Sequence, residues 1–117
     1  MAKNLGADER ERLLLRMARV LDSVAVQGGT ITYLELADSI AMPGPQRIHR
    51  TTRLLEILMK RDAEAGRPLR SALAISRVGP GLPAAGFFDR AQRLGLFDGR
   101  EPARFHARLL GQLHSSR

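Results

Sequence analysis

Apolar residues recur every three or four positions in several stretches of the chain, which is the spacing of one face of an α-helix. The first stretch runs from Asp8 to Val26 and begins with acidic residues, which suit a helix N-terminus. Its apolar stripe consists of Leu14, Met17, Leu21 and Val24. Gly28-Gly29 ends this predicted helix. Residues 1–8 and 114–117 are expected to be frayed tails.

A short strand and a short helix are predicted next. The run Thr30-Ile31-Thr32 is β-branched, which favours extended backbone. Thr32 also stands where an N-cap residue would, with Glu35 three residues later, as in a capping box. We therefore expect a helix from this point through Ile40. The segment Met42-Pro43-Gly44-Pro45 ends it, because two prolines and a glycine do not continue a helix.

The segment from Gln46 to about Arg61 predicts the next helix. Its expected buried stripe consists of Ile48, Thr52, Leu55 and Met59, widened by Leu54 and Leu58. Residues 69–76 then alternate between larger apolar and smaller or polar side chains, which predicts a half-buried strand. A loop rich in turn residues covers 78–83, and a short helix is expected over 87–94. Pro102 opens the last predicted helix, whose apolar face consists of Phe105, Leu109 and Leu113.

This order of elements predicts a mainly α fold with a small β component. Two helices joined by a tight turn, followed by a strand and a loop, are typical of a winged helix-turn-helix, here with an added C-terminal helix. The chain has 117 residues, which suits one domain with one core, so residues 1–117 are expected to form a single winged-helix-like domain.

The charge and the composition narrow the function. The formal net charge is +7, which favours anionic partners, nucleic acid first and an acidic protein or membrane surface second. The chain has no cysteine, which excludes thiolate ligands and cysteine nucleophiles. No stretch has the roughly 20 apolar residues of a membrane span. The first residues lack an apolar signal core, so we expect a cytoplasmic protein.

The predicted helix 46–61 carries much of the positive charge, with five lysines or arginines against one acid. Arg47, Arg50 and Arg53 are spaced by three and are expected to share a face. Guanidinium groups bind phosphates or guanine edges, and a helix fits the major groove. Gln46 and His49 stand near the helix start, where base edges are usually read. The alternative is a solvated basic face whose arginine stems cover apolar surface.

Catalytic and metal chemistry find little support in the sequence. The histidines His49, His106 and His114 show no metal-ligand spacing, and no serine lies in a nucleophile-elbow context. The glycines of the 78–86 loop do not form a phosphate-binding fingerprint. No pair of carboxylates suggests acid–base work. We therefore expect no enzyme, no metal and no cofactor.

Two motifs resemble a known family. The run Thr32-Tyr33-Leu34-Glu35-Leu36-Ala37 resembles the Thr-Tyr-Gly-Glu-Leu-Ala signature of the O6-alkylguanine-DNA alkyltransferase family, which includes the non-enzymatic alkyltransferase-like proteins. Pro43-Gly44-Pro45-Gln46-Arg47 resembles the family's Pro-Gly-Ala-Ala-Arg at the start of its recognition helix. Ile75-Ser76-Arg77-Val78 stands where the family has Cys-His-Arg-Val. The similarity covers roughly residues 10–95 and is weaker beyond Pro68.

The resemblance implies a winged helix that binds DNA through the minor groove and flips a base out of the stack. It implies that Tyr33 contacts the phosphate of the flipped nucleotide and that Arg47 fills the vacated space. Arg77 is carried over with its motif as a DNA-binding residue. The family's nucleophilic cysteine corresponds to Ile75, so alkyl transfer is excluded. The family has a glycine directly after the tyrosine, where this chain has Leu34. The family also usually has a glycine where this chain has Arg50.

These observations predict a non-enzymatic protein that binds double-stranded DNA and senses modified bases. DNA and RNA are not distinguished by the sequence, and neither is the oligomeric state. The alternative is a protein-interaction module or a transcription regulator built on the same helix-turn-helix. In an interaction module, Phe105, Leu109 and Leu113 of the last helix would form an interface to a protein partner rather than part of the core.

Overall fold

The computed structural model describes residues 6–115 and confirms a mainly helical fold with a small β component. Within that range the chain forms five α-helices, two strands and one 3₁₀ helix, in a single compact unit. The helices are α1 (Ala7–Val26), α2 (Tyr33–Ser39), α3 (Arg47–Glu64), α4 (Ala85–Arg93) and α5 (Pro102–Ser115). The strands are β1 (Ile31–Thr32) and β2 (Ala74–Ile75), and the 3₁₀ helix is Arg70–Leu73.

The two ends of the described range are helical rather than frayed. Helix α1 begins at Ala7, and α5 includes both His114 and Ser115. The Nε2 atom of His114 lies 2.9 Å from the carbonyl oxygen of Gly29, so a side chain of the last turn is tied to the loop after α1. The prediction of frayed tails is therefore wrong for residues 7–8 and 114–115. For residues 1–5 and 116–117 it lies outside the described residues.

Helix α2, which a short turn joins to α3, begins at the predicted capping box. The backbone N–H of Glu35 donates to Thr32 Oγ1 at 3.2 Å, and the backbone N–H of Thr32 donates to Glu35 Oε1 at 2.9 Å. Thr32 also ends β1, which pairs with β2 in parallel, Ile31 opposite Ala74. The capping box therefore fixes α2 directly onto the small sheet.

The capping box makes stability depend on pH. The hydrogen bond from the Thr32 backbone N–H, the largest influence, lowers the pKa of Glu35 below its ordinary value. A carboxyl whose pKa is lower in the folded state stabilises that state above its unfolded pKa, and the effect is lost as pH falls through the folded pKa. We expect the free energy of unfolding to decline on acidification through this window, and less steeply in Glu35→Gln. Chemical denaturation between neutral and acidic pH measures both slopes, and identical slopes would contradict the prediction.

The buried stripe of α3 differs from the predicted one. Ile48 is 48% exposed, and Thr52 is only half-buried. The first turn of α3 follows an exposed turn and extends beyond the core, so a side chain there has little to pack against. The buried residues of α3 are Thr51, Leu54, Leu55, Leu58, Met59 and Asp62.

The segment 69–76 is mostly not the strand that its alternation predicts. Arg70–Leu73 form the 3₁₀ helix, and only Ala74–Ile75 are extended. The backbone N–H of Arg70 donates to the buried carboxylate of Asp62 rather than to a neighbouring strand. Ser71, Ala72 and Ala74 are all buried, because this segment runs through the centre of the molecule between helices. The alternation of larger and smaller side chains in this segment therefore does not mark one buried and one exposed face, because the small side chains are buried as well.

Helices α4 and α5 close one side of the core with an aromatic cluster. The Phe97 and Phe105 rings stack with centroids 4.4 Å apart, and Phe87 and Phe88 contact the same cluster. Phe105, Leu109 and Leu113 are buried, as is His106, whose Nε2 lies 2.8 Å from the Ala72 carbonyl oxygen. The apolar face of the added C-terminal helix therefore packs against the chain's own core.

The loop after β2 stands where a winged helix would have its wing. The backbone N–H of Ser76 donates to the Leu82 carbonyl at 2.8 Å and closes the loop. The described residues pair only in the parallel β1–β2 sheet, whereas a wing is an antiparallel hairpin. The winged form of the fold stays a prediction. None of the helices within residues 6–115 is long and apolar enough to cross a lipid bilayer.

Candidate nucleic-acid interface

The α2–α3 turn presents the start of α3 to solvent. Gln46 is the residue before the helix, and its backbone adopts the left-handed conformation with φ of 58°. Its side chain is exposed, as are those of Pro45 and His49. A left-handed backbone is unfavourable for a residue with a Cβ. The turn therefore holds a polar amide at the tip of the helix at a cost in backbone strain.

Arg47 stabilises this turn through two side-chain contacts. Its Nε donates to the Met42 carbonyl at 2.8 Å, and its Nη2 lies 2.7 Å from Asp38 Oδ1. The arginine side chain is 36% exposed. To fill a vacated base stack, as the resemblance implies, the guanidinium would have to leave both partners. Its role as a finger stays a prediction, whereas its contacts in the turn are direct.

The three arginines do not share one face as evenly as their spacing predicts. Each step of three residues turns the helix by about 300°, so the row drifts by about 60° per step. Arg53 is exposed, while Arg47 and Arg50 are half-buried. His49 and Lys60 are exposed together with Arg53 on the outward side of α3. The outward basic row therefore consists of Arg53 and Lys60, with His49 beside them and Arg50 at the flank.

Positive charge is concentrated in the first half of α3. Residues 46–55 contain three arginines and one histidine and no carboxylate. In the second half, Arg61 pairs with Glu11 of α1 at 2.7 Å. The helix also extends past the predicted end to Glu64 and includes Asp62. Apart from Asp38 of α2, which pairs with Arg47, the N-terminal half of α3 therefore presents only basic charged side chains, at the helix end where the macrodipole is also positive.

An open depression of about 730 Å³ lies beside the start of α3. Two aliphatic side chains line it, Ile48 and Leu34, which are 48% and 39% exposed. Its other lining residues are Gly44, Pro45, Gln46, Arg47 and His49. Three of the predicted DNA-binding residues thus surround one concave surface. Sequence periodicity missed the two aliphatic residues, although the break before Gln46 signals an exposed first turn.

Tyr33 lies in a different environment. Its hydroxyl oxygen accepts a hydrogen bond from the Ala84 backbone N–H at 2.8 Å, before α4. Burial raises the pKa of this hydroxyl above its ordinary value, against the smaller lowering effect of that hydrogen bond. Arg77, in turn, is exposed in the loop after β2. Neither residue lines the depression at α3, so the structure separates them from Gln46, Arg47 and His49.

Tyr33 borders a narrow cleft of about 50 Å³ between α3 and α4. The buried hydroxyl of Ser71 borders this cleft and has no hydrogen-bond partner among the described residues. Arg90 Nη2 and Glu56 Oε1 lie 3.4 Å apart at its edge. Pockets for organic ligands typically measure about 300–1,000 Å³. In this conformation the cleft is too small to accept a nucleobase.

A second depression, of about 470 Å³, lies between α5 and the loop that precedes it. Three arginines line it, but Asp98 and Glu101 line it as well. Arg100 Nε lies 3.7 Å from Asp98, and Arg104 Nε lies 3.9 Å from Glu101. The guanidinium of Arg108 sits 5.5 Å from the centre of the Phe105 ring. Mixed charges make this surface a weaker match to a polyanion than the start of α3.

Metal binding finds no support in the part of the chain that the structure describes, where no three histidine or carboxylate side chains form a group that could hold an ion. Comparisons with protein families, with curated proteins and with solved structures found no match to this chain. The likeness to the alkyltransferase family is therefore carried by the sequence motifs alone and stays a prediction.

Proposed function

We propose that the chain binds double-stranded DNA through the N-terminal half of α3. The observation that carries this proposal is the run 46–55, which has three arginines and a histidine but no carboxylate. It lies at the exposed start of α3, the second of two helices that a short turn joins, and we interpret this pair as a helix-turn-helix. Recognition helices contact DNA with this end, where the backbone N–H groups and the dipole also favour phosphate.

The proposed activity is binding without catalysis, by a protein that we propose to be cytoplasmic. Ile75 stands where the alkyltransferases that the motifs resemble carry their nucleophile, and its side chain has no nucleophilic atom that could accept an alkyl group. The sensing of modified bases rests on the motif resemblance. Because the cleft at Tyr33 measures about 50 Å³, base flipping into it would require α4 to move away from α3.

The apolar face of α5, which the protein-interaction alternative assigned to a partner, is not available on the surface. Phe105, Leu109 and Leu113 are 6%, 7% and 5% exposed, within the core of the chain itself. A partner helix would have to use other residues. A transcription regulator remains compatible with the proposal, since it requires the same contact between α3 and duplex DNA.

Fluorescence anisotropy with a labelled duplex of about 20 base pairs tests the proposal. Each phosphate neutralised contributes about −0.9 to the slope of log affinity against log salt, so three contacts predict a loss of roughly 40-fold between about 50 and 200 mM salt. We expect binding that weakens in this way. The absence of binding at the lower salt concentration would contradict the proposal.

Gln46→Gly is expected to separate stability from binding. Because φ is 58° at this position, glycine should raise the free energy of unfolding by about 1 kcal/mol. It also removes the amide from the helix tip, so affinity for duplex DNA should fall several-fold. Urea denaturation and anisotropy measure the two effects.

Ala41→Gly provides the matched control. Ala41 lies in the same turn with φ of 54° and is exposed, but it does not line the depression at α3. Its variant should gain similar stability with unchanged affinity. Equal affinity loss in both variants would show that turn flexibility, rather than the Gln46 amide, governs binding.

A further inference from the structure

Two exposed aliphatic side chains interrupt the cationic surface at the start of α3. Ile48 is 48% exposed and Leu34 is 39% exposed, although they come from different helices. They line the same depression, with Gln46 and His49 beside them. A surface that bound only phosphates would gain nothing from these two side chains, because phosphates are fully polar. Because the two side chains meet in one depression beside Arg47, they would complement an apolar feature on the ligand.

The acidic groups near this depression are already engaged. Asp38 pairs with Arg47 at 2.7 Å, and Glu35 accepts the backbone N–H of Thr32. Arg47 is the arginine that lines the depression, and the other arginines of residues 46–55, a run without carboxylates, lie further along α3. The depression therefore has an apolar floor at the N-terminal end of a helix segment whose own charged side chains are arginines.

The family resemblance implies binding in the minor groove, whereas the width of a helix favours the major groove for this surface. An α-helix with its side chains is about 10–12 Å across, while the major groove is about 12 Å wide and the minor groove about 6 Å. The only apolar group that unmodified bases present in the major groove is the C5-methyl group of thymine. 5-Methylcytosine carries a methyl group at the same ring position.

We propose that the depression formed by Leu34, Pro45 and Ile48 binds the 5-methyl group of a pyrimidine in the major groove. The inference rests on the proposed function, since it requires α3 to enter duplex DNA. Gln46, at the same rim, has the amide that pairs with the adenine N6 and N7 edge. An adenine–thymine pair would thus satisfy both the amide and the aliphatic surface. Removing one contacted methyl group should weaken binding about fourfold, the factor that corresponds to burial of one CH₂-sized group.

Base substitution in the DNA tests this directly. Two duplexes of identical sequence are compared by anisotropy, one with thymine and one with uracil at every thymine position, so that only methyl groups differ. We expect the natural chain to bind the uracil duplex about fourfold more weakly for each methyl group contacted. A third duplex, with uracil and with 5-methylcytosine replacing cytosine, distinguishes the two methyl sources. Recovery of affinity there assigns the site to 5-methylcytosine as well.

Protein variants assign the effect to the depression. Ile48→Ala should bind the thymine and uracil duplexes with nearly equal affinity. Leu15→Ala removes an aliphatic side chain that is 54% exposed on α1, and it should discriminate as the natural chain does. Full discrimination by Ile48→Ala would overturn the assignment.

The failures of the two proposals are distinguishable. Equal, salt-sensitive binding of all three duplexes by the natural chain would overturn the methyl-binding inference while the DNA-binding proposal stands. If none of the duplexes binds at low salt, the proposed function itself fails, and the inference fails with it.

Discussion

Asp62→Ala is expected to lower the free energy of unfolding by about 3–5 kcal/mol, the usual cost of removing one partner of a buried ion pair. The Asp62 carboxylate is fully buried near the end of α3. Arg70 donates to it three times, from its backbone N–H at 3.1 Å, from Nε at 3.1 Å and from Nη2 at 2.8 Å. Arg67 Nε donates at 3.1 Å as well. The substitution would leave Arg70, which is only 17% exposed, largely without its compensating charge.

Urea denaturation followed by circular dichroism measures this effect, with Asp22→Ala as control. Asp22 also contacts Arg70, at 3.4 Å, but its side chain is 60% exposed. An exposed pair contributes about 0–1 kcal/mol, so the control should remain close to the natural stability. A loss below about 1 kcal/mol in Asp62→Ala would show that the network does not hold the 3₁₀ helix against α3.

Replacing Arg47, Arg50 and Arg53 together with alanine is expected to weaken duplex binding on the order of a hundredfold at about 0.1 M salt. If each guanidinium neutralises one phosphate, the salt slope should fall by about 2.7. Arg47 also holds the α2–α3 turn, so the Arg50→Ala, Arg53→Ala pair is a necessary second variant. That pair leaves the turn contacts intact and should lower the slope by about 1.8.

A second triple variant, with arginines of α4, of the loop before α5 and of α5 replaced, is a control with the same loss of charge. Arg93, Arg100 and Arg104 are exposed, and alanine at all three positions removes three positive charges. We expect this variant to retain most of the affinity, because none of the three arginines lies on α3 and two of them, Arg100 and Arg104, lie beside carboxylates. Similar losses in the two triple variants would indicate that net charge, rather than the start of α3, governs binding.

Local signals in the sequence predict much of this fold. The Thr32–Glu35 capping box, the Gly28-Gly29 stop and the break at Met42–Pro45 act over a few residues, and each lies where the pattern places it. The α5 stripe is also confirmed. These features depend on backbone geometry and on helical spacing, which a short segment determines by itself.

Non-local contacts explain what the sequence did not predict. The segment 70–73 forms a 3₁₀ helix because Asp62, eight residues before Arg70, captures its N–H. The spacing of apolar and polar residues does not predict that contact. Ile48 has the spacing of a buried residue, yet its exposure depends on how far the core reaches along α3. The final turn of α5 is ordered by a contact between His114 and Gly29, 85 residues apart.

The candidate site was predicted in part. The sequence placed Gln46, Arg47, His49, Arg50 and Arg53 at the start of a helix, and the structure places them there. Their spacing did not indicate that Arg47 is bonded to Met42 and Asp38. Nor did it indicate the depression between two helices, because the contribution of Leu34 depends on how α2 packs against α3.

Two-dimensional NMR of the amide groups, with the natural chain titrated by a short duplex, tests the central claim most directly. If the start of α3 binds DNA, signals of residues 44–53 and of Leu34 should shift or broaden most, and the effect should weaken with added salt. Changes concentrated at residues 95–108, or no changes at low salt, would contradict the assignment of DNA binding to α3.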